Sequence, residues 1–459
     1  MQLIKLPVLA PAADPLFAPL RFRNLTVKNR LLRSSISGRI DNYDGSGTRA
    51  RINFEASFAR GGVGAIISSH VPVHIRGRIL PNYATIDRDE RIGFWRAVVD
   101  RVHAHDCKFI LQLSHAGRQQ DIAGVENLGQ TALSATSKRE GFHGIACEAM
   151  TRAQIHEVVE QFAAGARRAR EAGCDGLELH AANGYLFTQF LSSAINDRRD
   201  EYGGPLANRA RFLLEVIAAI RRECGRDFHL QVKYSAIEHN HTPLFWQRRG
   251  NTLADGVALA RMLEAAGVDA LHISVGAMFP HPQNPGGGFP LDVATQSYGA
   301  MLHSGAHGLR NYLGFRFLRP LFAWLWRRGG AAGVEGQNLA AARAVRQAVA
   351  IPVLVTGGFQ TASRIRQALT VGDCDAVTIA RPLLANRDLP QIFAAGKDRP
   401  DAPCSFCNRC LIRVLDSPLG CYDESRFHGD HAAMMRELMA ISEDEVTAPA
   451  PPALRAHNG

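Results

Sequence analysis

The stretch Gly176-Leu-Glu-Leu-His-Ala-Ala-Asn-Gly-Tyr185 decides the fold. A short apolar strand runs into a His, an Asn three residues on and a Tyr two beyond it, and the polar turn Asn196-Asp-Arg-Arg-Asp-Glu-Tyr-Gly-Gly204 follows. Hydrogen-bonding side chains therefore gather where a strand gives way to a loop, which is where parallel barrels keep their chemistry.

Working outward, apolar runs of strand length recur on both sides. They are Asn29 to Ser37, Gly64 to Ser69, Phe109 to Leu113, His229 to Tyr234, Ala270 to Ser274, Pro352 to Thr356 and Ala376 to Ala380, which with Gly176 to Leu179 makes eight. Segments of helical period lie between them. Ile155, Val158, Val159, Phe162 and Ala166 keep one apolar face behind a Thr151-x-x-Gln154 capping pattern, and Leu213, Val216, Ile217 and Ile220 keep another behind Pro205. Non-alternating apolar strands separated by helices predict a closed parallel (β/α)8 TIM barrel. A doubly wound sheet is the rival, but no Gly-x-Gly-x-x-Gly turn opens a helix after the first strand.

The chain has 459 residues, and a barrel of about 250 residues with insertions absorbs most of that length. We expect one barrel over residues 1–400, a long insertion after strand six at about 276–335, a short Cys-rich extension at 401–430 and a disordered tail at 440–459. Hydrophobic residues make up 46% and charged residues 21%, enough apolar material for a sizeable core. The net charge is +10, but the arginines are scattered along helices, so the surface is solvated and nucleic acid is not expected as a partner. With no cleavable leader and no run of about eighteen apolar residues, the expected location is cytoplasmic. Five of the nine cysteines are dispersed, as suits reduced thiols.

Glu-Leu-His-Ala-Ala-Asn-Gly-Tyr-Leu, then Asp-Glu-Tyr-Gly-Gly, then Asn208-Arg-Ala-Arg-Phe212 together resemble the core of the old yellow enzyme family. The resemblance spans roughly residues 15 to 427 outside the insertion, and it implies an FMN-binding barrel reduced by NAD(P)H. Ser34, Ser35 and Ser37 fall at the first strand's cofactor end by this match. Gln112, in Gln112-Leu-Ser-His-Ala-Gly-Arg118, would meet the flavin's pyrimidine edge. Lys233 would stand near the ring atoms where reduced flavin gathers negative charge, or else pair with a barrel carboxylate. His70 stands at the second strand's mouth, close to the cofactor and without an assigned role.

Strand seven ends in Thr356-Gly-Gly358 and strand eight in Ala380-Arg-Pro-Leu383. Phosphate in such barrels lies on these two loops, so Gly357, Gly358, Ala380 and Arg381 are the expected phosphate site, Ala380 standing where the family more often has Gly. The plainer alternative is that the glycines only turn the chain. For the reaction, the resemblance implies that His180 and Asn183 hydrogen-bond a substrate carbonyl and that Tyr185 delivers a proton. Arg198, Asp200 and Glu201 should organise the loop.

Two features exceed this pattern. The insertion carries Tyr312-Leu-Gly-Phe-Arg-Phe-Leu-Arg-Pro-Leu-Phe-Ala-Trp-Leu-Trp-Arg-Arg328, aromatics beside arginines, and a lid, a subunit interface and a membrane-surface contact through residues 309–328 all remain open. Cys404-x2-Cys407-x2-Cys410 with Cys421 resembles the iron–sulfur segment of the dienoyl-CoA reductase and amine dehydrogenase branch, which implies a [4Fe–4S] cluster; zinc and free thiols are the alternatives. The second nucleotide-binding domain of those larger relatives is not expected in this sequence, so a cluster would call for an external electron partner, or else NAD(P)H would reduce FMN directly in the barrel.

The leading expectation is hydride transfer from NAD(P)H through FMN to an enone or enoyl-type small molecule by a homo-oligomer. An iron–sulfur dehydrogenase or demethylase of the amine dehydrogenase type, and a membrane-surface or partner-binding flavoprotein, are the alternatives.

Overall fold

The structure is a computed structural model that describes residues 14–36, 38–122, 131–140, 142–240, 250–278, 281–302, 305–330 and 333–443. Ser37, expected at the cofactor end of the first strand, lies outside the described residues. Eight parallel strands form the barrel: β1 (Leu31–Arg33), β2 (Ala65–Ile67), β3 (Lys108–Ser114), β4 (Gly176–Ala181), β5 (His229–Ser235), β6 (Ala270–Ser274), β7 (Val353–Thr356) and β8 (Ala376–Ile379). Each pairs with its neighbours in chain order, and β8 returns to β1 to close the ring. All eight coincide with the apolar runs, because a strand buried on both faces has no reason to alternate.

The outer layer comprises α1 (Arg49–Arg60), α2 (Ile92–His103), α3 (Arg152–Glu171), α4 (Leu186–Leu191), α5 (Leu206–Cys224) and α6 (Leu253–Ala265) on the way to β6. In α3, Thr151 Oγ1 accepts from the Gln154 amide at 3.2 Å while Gln154 Oε1 accepts from the Thr151 amide at 2.8 Å. This reciprocal cap contributes about 1 kcal/mol. The five apolar residues of its stripe are all buried.

The insertion after β6 is helical: α7 (Leu291–Ala300), α8 (Ala306–Phe317) and α9 (Arg319–Gly329) precede α10 (Leu339–Arg346) and β7. Then come α11 (Ala362–Val371), α12 (Arg381–Ala385), α13 (Leu389–Ala394), α14 (Arg409–Arg413) and α15 (His431–Met439). The tail expected from residue 440 begins instead with a 3-10 turn, Ala440–Ser442, whose Ile441 is buried and whose carbonyl accepts from Asn53 Nδ2 at 3.0 Å. Residues 444–459 lie outside the described residues. None of the described helices is long and apolar enough to cross a membrane.

The barrel interior is layered, as packing in such barrels requires. At the floor, Leu20, Phe22, Leu25 and Val27 of an N-terminal hairpin pack on Ile110, Ala270, Leu354 and Ala376. Above them lies a fully buried polar layer. Strand register sets Gln112 and Gln231 on either side of Glu178. Glu178 accepts from Gln112 Nε2 at 2.7 Å, Gln231 Nε2 at 2.6 Å and His272 Nδ1 at 2.8 Å, and Thr378 Oγ1 donates to His272 Nε2 at 2.7 Å. One level higher, register brings Lys233 beside His180.

Just past β5, Glu238 is buried, with Ser192 Oγ donating to its carboxylate at 2.5 Å and Asn240 Nδ2 at 3.2 Å. Burial outweighs these donors and pushes its carboxyl up to about 7. Folded Glu238 therefore holds a proton that the unfolded chain has already released, and stability falls as pH rises from the ordinary carboxylate range to about 7, then levels off. Glu238→Gln is expected to gain about 3 kcal/mol of stability relative to the parent between pH ~5 and pH ~8. Denaturant unfolding at both pH values checks it, and a pH-independent difference would remove Glu238 from this role.

Candidate active site

The cavity sits at the carboxyl ends of the strands, and its wall gathers residues from as far apart in the chain as Ser34 and Leu415. Ser34, Ser35, His180, Asn183, Tyr185, Lys233, Gly357, Gly358, Ala380 and Arg381 all line it. Two expected cofactor residues stand behind the wall. Gln112 is buried beneath it, its Oε1 accepting from Ser35 Oγ at 2.7 Å. His70 packs behind the reactive rings, 5.1 Å from Tyr185 and 5.9 Å from His180 between centroids, with Nε2 donating to the Gly77 carbonyl at 3.3 Å.

The turn after β4 explains why His, Asn and Tyr converge. Asn183 and Gly184 both take positive φ, 61° and 89°, a conformation that Asn tolerates and Gly adopts freely. A Cβ on Gly184 would lie 2.4 Å from the Ala277 carbonyl oxygen, so the turn is packed as well as bent. The chain then enters α4 with Tyr185 at its N-cap. Gln119 Nε2 ties the turn down through the Gly184 carbonyl at 3.0 Å.

His180 is neutral, because burial and then the nearby Lys233 charge hold its imidazole well below its ordinary value. The Ala182 amide donates to its Nδ1 at 3.4 Å, which leaves Nε2 as the protonated nitrogen. Asn183 donates through Nδ2 to Asn284 Oδ1 at 2.8 Å, so one of its two amide hydrogens is already engaged. Burial, and secondarily Tyr83, push the Tyr185 phenol far up, and it keeps its proton at any physiological pH. Lys233 is buried with Nζ 3.5 Å from Ser34 Oγ; burial lowers its ammonium, and the Glu178 carboxylate below opposes that shift.

At the opposite end, Gly357 leaves an open cradle: a Cβ there would meet the backbone nitrogens of Gln337 and Asn338 at 3.6 Å. Gly358 has φ +73°, and a Cβ would stand 2.8 Å from Val334. Arg381 is buried beside this cradle, its NH1 donating to the Gly286 carbonyl at 2.7 Å and to Asn408 Oδ1, with its guanidinium 5.2 Å over the Phe406 ring. Glycine backbone and a buried cation fit a phosphate, and Ser34, Ser35 and Lys233 fit the polar edge of a flavin ring, so the donor set matches FMN.

Phe406 and Asn408 belong to the Cys-rich segment, so that extension positions the cavity's arginine. The same segment carries the four cysteines expected as ligands. Cys404, Cys407, Cys410 and Cys421 are free thiols, and Cys404, Cys407 and Cys421 are near enough to Cys410 to help burial raise its thiol. Among the described residues, no three His, Cys, Asp or Glu side chains converge to hold a metal ion.

The cavity wall opposite the barrel is built by the two additions: Phe289 and Tyr298 from the insertion, Ile412 and Leu415 from the extension. Tyr298 joins a relay that sequence reasoning missed. His143 Nδ1 donates to Glu140 at 3.2 Å, and its Nε2 is hydrogen-bonded to the Tyr298 hydroxyl at 3.1 Å. His143 and the amides around it pull the Glu140 carboxyl down to about 2, against its burial. No local motif marked this relay, whose His143 and Tyr298 are 155 residues apart.

A family model described as the NADH:flavin oxidoreductase / NADH oxidase family matches residues 15–294. An NADH oxidase of Thermoanaerobacter brockii is 29% identical over 424 residues, which is 89% of this chain and 57% of that protein. A cinnamate reductase of Clostridium sporogenes is 28% identical over 414 residues, 87% of this chain and 56% of its own. The chain therefore spans little more than half the length of these curated relatives. Among solved structures, a 2-naphthoyl-CoA reductase in complex with 2-naphthoyl-CoA superposes with a TM-score of 0.72 at 23% identity, covering 91% of this chain and 58% of that one, a likeness of fold.

Proposed function

From the premise that the chain belongs to the NADH:flavin oxidoreductase / NADH oxidase family, we propose that it is an FMN-dependent oxidoreductase that uses NAD(P)H to reduce a C=C bond conjugated to a carbonyl. Bound FMN would supply hydride exchange between nicotinamide and substrate, held by Ser34, Ser35, Lys233, Gly357, Gly358, Ala380 and Arg381, with Gln112 steadying Ser35 from below.

The observation that carries the reading is the joint state of three side chains on one cavity wall. His180 is a neutral imidazole with a donor nitrogen, Asn183 retains one amide hydrogen, and Tyr185 is a phenol that cannot ionise. Two donors suit the oxygen of a substrate carbonyl as it becomes enolate-like. A phenol locked in its protonated form suits the delivery of a proton to the adjacent carbon. Lys233 stands in the floor of the same cavity, where burial lowers its ammonium and the Glu178 carboxylate opposes that shift, and the apolar wall of Ile79, Leu80, Phe142, Phe289 and Leu415 excludes water and selects an apolar substrate body. The relative named cinnamate reductase agrees with this substrate class.

A second reading, an iron–sulfur dehydrogenase of the amine dehydrogenase type working with an external electron partner, is supported by one observation: Cys404, Cys421 and Cys407 all lie close enough to Cys410 to act on its thiol. Anaerobic purification with FMN, iron and acid-labile sulfide quantified tests both. About one FMN per chain, bleached by NADH or NADPH and recoloured by an enone, supports the leading reading; about four irons and four sulfides per chain would support the second. Failure to bind FMN after reconstitution would defeat both.

A further inference from the structure

We infer that the outer face of the α8–α9 hairpin docks on an anionic lipid bilayer. These two helices are apolar on both sides. The inner side packs behind the cavity wall: Phe315 and Trp326 are buried, the wall residue Phe289 lies 4.8 Å from Trp326 and 4.9 Å from Phe322 between ring centroids, and Trp326 Nε1 donates to the Gly287 carbonyl at 3.0 Å. Tyr298 of the cavity wall packs 5.3 Å from Phe315. The hairpin is therefore fixed in place by contacts that leave its other side free to serve something else.

That other side is unusual for a protein facing water. Leu309, Leu313 and Phe317 recur at four-residue spacing along α8, and Leu318, Leu321 and Trp324 continue the row along α9. Phe317 is 68% exposed, Leu318 56% and Leu321 51%. Scattered exposed apolar residues need no explanation, but a contiguous row across two helices marks a contact surface. Around the row stand Arg310, Arg316, Arg319, Arg327 and Arg328, all exposed, and no Asp or Glu occurs from Val293 to Val334.

The charge decides between occupants. A second copy of the chain joined through this face about a two-fold axis would set five arginines against five, a like-charge juxtaposition that opposes the contact. Anionic headgroups complement the arginines, while Phe317, Leu321 and Trp324 enter the boundary between headgroups and acyl chains, the arrangement of an interfacial helix that lies on a membrane without crossing it. The same hairpin would then have the bilayer on one side and the wall residues Phe289 and Tyr298 on the other.

Flotation of the full-length protein with phosphatidylcholine vesicles, with and without about 30 mol% phosphatidylglycerol, tests this; binding should be at least roughly tenfold stronger with the anionic lipid and should weaken with salt. Phe317→Ser with Leu321→Ser, and separately Arg316→Glu with Arg319→Glu, should each lower flotation by roughly tenfold while thermal unfolding and FMN content stay unchanged, since exposed positions tolerate substitution. Absence of flotation, equal flotation on both vesicles, or a Phe317→Ser/Leu321→Ser protein that floats normally but changes oligomeric state in light scattering would each overturn the inference. The readout is binding to lipid, so it stands or falls separately from the proposed reaction.

Discussion

Tyr185→Phe is expected to lower turnover of an α,β-unsaturated carbonyl by about 10²-fold or more, the scale of a positioned general acid, while the rate at which NAD(P)H bleaches the bound flavin stays within about twofold. The separation follows from where the phenol stands. Tyr185 is packed edge-on against His180 at 4.8 Å and His70 at 5.1 Å, and phenylalanine keeps both ring contacts. Among the described residues no hydrogen bond anchors a neighbouring element to the hydroxyl, so its removal deletes a proton and little else. Because burial keeps the phenol protonated, the parent's enone turnover should show no loss from phenol ionisation across the physiological pH range. Stopped-flow measurement of the two half-reactions checks the split. Equal slowing of both would point to a displaced cofactor, and unchanged enone turnover would remove Tyr185 from proton delivery.

The barrel was legible because its strands are short apolar runs buried on both faces, a pattern that needs no knowledge of their partners. The ends of those strands were legible for the same reason, since His180, Gly357 and Arg381 follow directly where their runs stop and Ser34 and Lys233 fall near the ends of theirs. What the sequence conceals is what closure creates. Glu178, Gln231, His272 and Thr378 each look like one polar residue inside an apolar strand, and only register makes them a layer. The helices of the insertion were hidden by their own composition. With Phe315, Phe322 and Trp326 facing inward and Leu313, Phe317 and Leu321 facing outward, no single stripe stands out. Cysteine spacing shows that four sulfurs share one loop, but not how their side chains point.

Glu178→Leu is expected to be the most destabilising single change in the molecule, by about 3–5 kcal/mol, because it breaks a buried charge arrangement and leaves its partners in place. Gln112 Nε2, Gln231 Nε2 and His272 Nδ1 would all lose their acceptor at a depth no water reaches, and Lys233 would lose the carboxylate that offsets its burial. Glu178→Gln separates these effects. Its carbonyl can still accept from Gln231 and His272, and its amide then faces Gln112, which must turn its own amide over and present Nε2 to Ser35 Oγ in place of Oε1. The layer survives, so thermal unfolding should move far less than in Glu178→Leu. The negative charge does not survive, so burial acts on Lys233 unopposed and its ammonium is lost at lower pH. A weaker cation in the cavity floor favours the reduced, anionic cofactor less, and the midpoint potential of the holoprotein should fall by on the order of 30 mV for each tenfold loss of that preference. Dye-equilibrated redox titration beside thermal unfolding reads both quantities. A lowered potential in a stable Glu178→Gln protein would place Glu178 as the residue that holds Lys233 charged; an unchanged potential would leave the layer a purely structural one.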